Sequence, residues 1–118
     1  MNRLLLLVML SSCAASRVVT VADGAYSQRD YLKTAYETLQ NSDTDTEGHR
    51  IRAQLATRAA LQSLDDGELG RSVPFEGPPS MAVARELLQR VTPSPTDGSP
   101  AAENTRRALG ELNAALGP

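Results

Sequence analysis

Few residues in this chain are equipped for chemistry. Its 118 residues include one cysteine, Cys13, and one histidine, His49. Cys13 closes the apolar run LLLLVMLSSC that begins at Leu4, and His49 ends the acidic stretch NSDTDTEGH that begins at Asn41. In that stretch Asp43, Asp45, Glu47 and Gly48 follow the D-x-D-x-E-G opening of an EF-hand loop, where alternate carboxylates reach a cation and the glycine makes the sharp turn. The twelfth place of such a loop needs a bidentate glutamate, and Gln54 stands there. Asp43, Asp45 and Glu47 are thus a weak calcium candidate only. The competing reading is an acidic helix start, in which carboxylates complement the helix dipole.

The surroundings of Cys13 are more specific. Met1-Asn2-Arg3 gives a short positive region, Leu4 to Leu10 a seven-residue apolar core, and Ser11 to Ser16 a run of small residues. That is the layout of an export signal peptide. A membrane-spanning helix needs about 20 apolar residues, and the whole run from Leu4 to Ala15 is only 12 residues long. The four residues Leu10-Ser11-Ser12-Cys13 resemble the lipobox of bacterial lipoproteins: an aliphatic residue, a small one, Gly/Ala/Ser, then cysteine. The resemblance covers about the first 14 residues and implies nothing about the mature fold.

In that family the cysteine thiol takes a diacylglycerol, the signal is cut just before it, and the new amine is usually acylated too, with palmitate-type chains. The resemblance therefore implies residues 1–12 as signal peptide, a covalent lipid on Cys13, and no other cofactor. Two or more chains hold a protein stably on a bilayer, where one gives marginal binding. Thioether formation also removes the lone thiol that an oxidising compartment would leave unpaired. An aspartate directly after the cysteine commonly retains such proteins at the inner membrane, so Ala14 points to the outer membrane, facing the periplasm, in a Gram-negative cell. The alternative is a cut after Ser16, with Ala14 and Ser16 as the small residues of the cleavage site. The product would then be a soluble exported module binding a ligand or calcium through Asn41–His49.

Catalysis is not expected. With Cys13 acylated no Cys–His pair exists, and a Ser–His–Asp arrangement would have to use His49 at an exposed helix start. A zinc site would have only carboxylates beside that histidine. The chain has no G-x-S-x-G, no phosphate-binding glycine loop and no H-E-x-x-H. Asp65-Asp66 reads as a solvated helix end. A net charge of -2 gives no pull towards nucleic acid. Eleven arginines against the single Lys33 read as the codon usage of a high-GC genome.

These residues must be positioned by helices. Apolar residues are 41% of the chain, yet there are only three tyrosines, one phenylalanine and no tryptophan. A core built from leucine, valine and alanine favours close-packed helices. The fold expected is all-α: a small antiparallel bundle of about four helices, as two helical hairpins, over residues 26–118. A tether over 13–25 joins it to the lipid. The stretch Arg17 to Asp23 is β-branched but has no evident hairpin partner.

The spacing predicts a first helix over Ser27 to Gln40, where Ser27 and Asp30 form a capping-box variant and Leu32, Ala35, Tyr36 and Leu39 make the stripe. The second covers Glu47 to Leu64, with Ile51, Leu55 and Ala59 on one stripe and Ala53, Ala56 and Ala60 on another. Two usable faces predict contact from both sides. The third covers Ser80 to Val91. The Pro/Ser-rich loop Thr92 to Pro100 separates it from the last, which is capped by Ser99, starts at Pro100 and buries Ala108, Leu109, Leu112, Ala115 and Leu116.

A bundle so small and alanine-rich is marginal alone, so a protein partner is expected to complete it. The function expected is a lipid-anchored envelope protein whose helical domain binds or scaffolds another envelope protein. The residues expected at the contact are Phe75, Tyr31 and the apolar edge of the second helix. Phe75, in the irregular VPFEGPP, reads foremost as a plug for the bundle. Tyr36 reads as core, and Tyr26 and Tyr31 as rim. Arg85, Arg90, Arg106 and Arg107 read as solvated faces.

Overall fold

The computed structural model describes residues 20–21, 24–43, 47–64 and 70–117. Within them the chain is all-α with one small strand pair: β1 (Thr20–Val21), α1 (Gln28–Gln40), α2 (His49–Leu64), β2 (Phe75–Glu76), α3 (Met81–Gln89) and α4 (Pro100–Leu116). Three helices start where the sequence places a serine cap. Ser27 Oγ accepts from Asp30 N, and Asp30 Oδ2 accepts from Ser27 N in return, at 3.1 and 2.9 Å. Ser80 and Ser99 accept from the amides of Val83 and Ala102. Each bond satisfies an amide that the helix itself leaves without a carbonyl.

The helices pack as a ring. α2 lies broadly against α4 and also against α1, while α3 lies against α1 and α4. The α2–α4 contact is the most extensive, and small side chains explain why. Ala53, Ala56, Thr57 and Ala60 are buried on α2, and Ala101, Ala102, Thr105, Ala108 and Leu112 on α4. Thr57 and Thr105 are fully enclosed, and each hydroxyl donates to the carbonyl four residues back, Ala53 and Ala101, at 2.7 and 2.8 Å. No hydroxyl there is left without a partner at the seam. Leucines fill the rest of the core: Leu32 and Leu39 from α1, Leu87 and Leu88 from α3, Leu112 from α4. Leu116 lies outside it, 38% exposed, in contrast to the buried place predicted.

The stretch before β2 is fastened to α1 by two side chains. Asp30 Oδ1 accepts from Arg71 N at 2.6 Å, and Thr34 Oγ1 accepts from Val73 N at 2.9 Å. Four helical residues advance about 6 Å, and two extended residues about 6.6 Å. The i, i+4 acceptors of α1 therefore match the i, i+2 donors of the strand. Gly70 makes this approach possible. Its φ is +71°, and a Cβ there would fall 3.1 Å from both Arg29 Cγ and Lys33 Cδ.

From this fastening Val73 enters the core and β2 pairs antiparallel with β1, Val21 opposite Phe75 and Thr20 opposite Glu76. Two residues of the stretch without an evident partner thus have one, and Val21 is buried. Arg90 holds β1 from the other side, donating to the Val21 carbonyl at 3.1 Å.

Candidate functional site

Cys13 and Asp45 lie outside the described residues. Asp43 is exposed near the start of the α1–α2 connection. Glu47 adopts a left-handed backbone (φ +52°), followed by Gly48 at +79°. Its carbonyl accepts from Arg52 Nη2 at 3.1 Å. His49 turns away from the acidic loop and binds across the bundle to α4, with Nδ1 2.7 Å from Glu111 Oε1. The Arg52 guanidinium closes the group, with Nη2 3.1 Å from the same imidazole nitrogen. The same oxygen accepts from Arg52 Nε at 3.0 Å. The His49 hydrogen bond first, and the Arg52 guanidinium second, hold the Glu111 carboxyl below its usual range. Among the described residues no three acidic, histidine or cysteine side chains converge as a metal cage would require. His49 and Glu111 act here as a clasp between α2 and α4.

The aromatic residues are arranged differently from the sequence expectation. Tyr31 is 8% exposed and belongs to the core, while Tyr36 sits at the rim, its hydroxyl accepting from Gln40 Nε2. Five residues turn a helix by about 140°, so only one of the two tyrosines can share the face of Leu32, Ala35 and Leu39. Tyr26 meets Tyr31 edge-on, with ring centroids 6.0 Å apart, and the Arg71 guanidinium lies 4.8 Å over the Tyr26 ring. Tyr31 therefore presents almost no surface to a partner. Phe75 is half-buried in β2 and packs against the core, the plug arrangement.

The arginines are not simply solvated. Arg85 donates to the Gly117 carbonyl at the end of α4. Arg106 donates to the carbonyls of Ser94 and Asp97 and so closes the Pro/Ser-rich loop. Arg107 reaches only the Asn104 side chain, at 2.7 Å.

What remains open is the outer side of α2. Ile51 is 41% exposed and Leu55 55%. They lie opposite the alanine face that packs on the bundle, so contact from both sides is made with α1 and α4 but not through this stripe. Beside it a groove of about 250 Å³ runs between α2 and α4, lined by Leu55, Ala56 and Ala59 on one side and Asn104, Arg107 and Glu111 on the other, with Arg52 at one end. A second hollow, about 380 Å³, lies between Ser42–Asp43, the 78–82 turn and Leu116. It offers one exposed aliphatic side chain and no cation.

No family model, curated protein or solved structure matches this chain. Among the described residues no helix is long and apolar enough to cross a membrane.

Proposed function

We propose that this protein is a bacterial lipoprotein, held on the cell envelope by lipid on Cys13, whose small antiparallel helical domain binds another envelope protein and catalyses nothing. The observation that carries the reading is Leu10-Ser11-Ser12-Cys13 at the end of a short apolar run, with the sole cysteine at the one place the lipidation chemistry needs it. Supporting the binding role is the stripe Ile51–Leu55, two aliphatic side chains one turn apart that the bundle leaves in solvent. Single exposed aliphatics are ordinary on a surface, but two beside a groove form a contact face. Phe75, half-buried, contributes its free edge at most. In a Gram-negative cell the domain faces the periplasm from the outer membrane.

Mass spectrometry of the protein purified from membranes tests the anchor. The expected mature chain begins at Cys13 and carries two or three acyl chains. An intact Cys13 thiol, or a mature N-terminus at Arg17, overturns it. Replacing Cys13 by serine is expected to leave the signal uncut and the protein without its acyl chains.

A further inference from the structure

α2 places its side chains in reverse. The residues it buries are Ala53, Ala56, Thr57 and Ala60, while the longer Ile51 and Leu55 point outward and Arg58 and Gln62 continue their stripe. Those four recur at i, i+4, i+7 and i+11, one face of a helix. The same surface is more basic than the chain, whose net charge is -2. α2 contains no carboxylate at all. Arg52 is matched by Glu111, but neither Arg58 nor Arg107 has an ion-pair partner among the described residues. Glu103 stands one turn before Arg107 on α4 and makes no ion pair with it.

We infer that the α2–α4 groove receives one amphipathic helix of a partner protein, a helix whose apolar stripe is flanked by aspartate or glutamate. The inference rests on the protein-binding reading above and names the chemistry of the partner. Apolar side chains at i and i+4 of such a helix cover Leu55 and the alanines of the groove floor. Its carboxylates meet Arg107, which lines the groove, and Arg58, which lies beyond Leu55 on the outer stripe of α2; each guanidinium offers a planar fork to a carboxylate.

Two other occupants fit less well. A second copy of this chain would present the same surplus of arginine, with Glu111 already engaged by His49 and Arg52, and so offers this surface little complementary charge. A bilayer is disfavoured by position. β1, the described part of the chain nearest Cys13, packs on α3, and α3 is the helix that α2 does not flank in the ring. The seven steps from Cys13 to Thr20 reach at most about 25 Å, so a lipid on Cys13 would meet the α3 side of the bundle before the outer face of α2.

The test places a photo-crosslinking amino acid in turn at Leu55, Gln89 and Leu116 of the full chain, expressed in its own host, and sequences the adducts by mass spectrometry. The expected result is an adduct at position 55 to a defined acidic amphipathic segment. The double change Arg58→Glu with Arg107→Glu is expected to lower its yield at least about tenfold, with the melting temperature of the protein unchanged. Arginine in place of the acidic residues of the captured segment restores the yield. An adduct to a second copy, to lipid or to a segment without acidic residues overturns the inference. So does an adduct that survives charge reversal. Adducts at 89 or 116 without one at 55 remove this groove but leave partner binding standing, and no adduct at any position removes both.

Discussion

Replacing Asp30 by alanine tests the fastening between α1 and the strand that follows α2. The carboxylate is 4% exposed and accepts from two main-chain amides, Ser27 at 2.9 Å and Arg71 at 2.6 Å. The Ser27 bond is the return arm of a capping box, worth about 0.5–1 kcal/mol at a helix start. The Arg71 bond joins a nearly buried carboxylate to a main-chain amide of the stretch before β2, and such charge-assisted bonds contribute about 1.5–2 kcal/mol net. The Arg71 guanidinium adds little, because its side chain is 63% exposed and the contact is 3.4 Å.

Asp30→Ala is therefore expected to cost about 2–3 kcal/mol, which for a domain of this size lowers the melting temperature by about 10–20 °C. Asp30→Asn should recover little, because one carbonyl oxygen can serve one amide while its NH₂ confronts the other. Urea unfolding followed by circular dichroism gives the free energy, with an unchanged slope as evidence that the unfolded state is the same. Hydrogen exchange adds the local readout: the amides of Arg71 and Val73 should lose protection together, before those of α4. A loss below about 0.5 kcal/mol, or protection retained at Arg71, would refute the fastening.

Two further outcomes follow from the same contacts. Asp30 is held below the usual carboxylate range by the Ser27 amide first and the Arg71 amide second, and Glu111 by His49 and Arg52. A depressed carboxylate gives stability that is complete above its unfolded value, about 4, and is lost as pH falls through the folded one. The melting temperature should thus be level from about pH 7 to 5 and fall below about pH 4; an equal fall in Asp30→Asn would show that Asp30 is not its source. On α2, Leu55→Gln should change stability by less than about 0.5 kcal/mol, whereas Ala60→Leu should cost about 1–3 kcal/mol by overfilling a fully buried site. Chemical denaturation of both variants reads the contrast, and the reverse order would mean that α2 faces the other way.

Local chemistry is what the sequence makes legible. Ser27 with Asp30, and Ser99 with Pro100, mark helix starts because a cap is decided within four residues. Helix existence followed equally well from 3.6-residue spacing. The β1–β2 pair could not be read in this way, since Val21 and Phe75 are two isolated contacts joined across the whole first half of the bundle. The tyrosines show a second limit. Tyr31 and Tyr36 each fit beside part of the apolar stripe, and only the packing of α1 on α2 and α3 selects Tyr31 for the interior. Phe75 as a plug was legible, because an aromatic ring among prolines and glycines has little else to pack on. At the candidate site, both stripes of α2 were visible in the sequence, but which one faces the core was not. Nor was the His49–Glu111 clasp, whose partners are 62 positions apart.

Composition read as codon usage also has a structural consequence. Arg50, Arg52, Arg71, Arg85, Arg90 and Arg106 each donate to a main-chain carbonyl outside their own turn, at Leu39, Glu47, Ala25, Gly117, Val21 and Ser94. The acceptors are at helix ends, in connections and in the short strand, where carbonyls have spare accepting capacity. A guanidinium has several donors in one plane and serves such carbonyls while its stem covers apolar surface. In a bundle without tryptophan and with a seam of alanine and threonine, these side chains tie down segments that ring packing cannot. Arg58 and Arg107 are then informative by contrast. They have the same fork but reach no main-chain carbonyl and no carboxylate among the described residues; Arg107 lines the α2–α4 groove, and Arg58 follows Leu55 on the outer stripe of α2. The alanine face that allows α2 to approach α4 closely leaves Ile51 and Leu55 no interior to enter. One choice of small residues therefore explains both the tight seam and the uncovered stripe, and the two unmatched arginines supply that stripe with a charge preference for what lies on it.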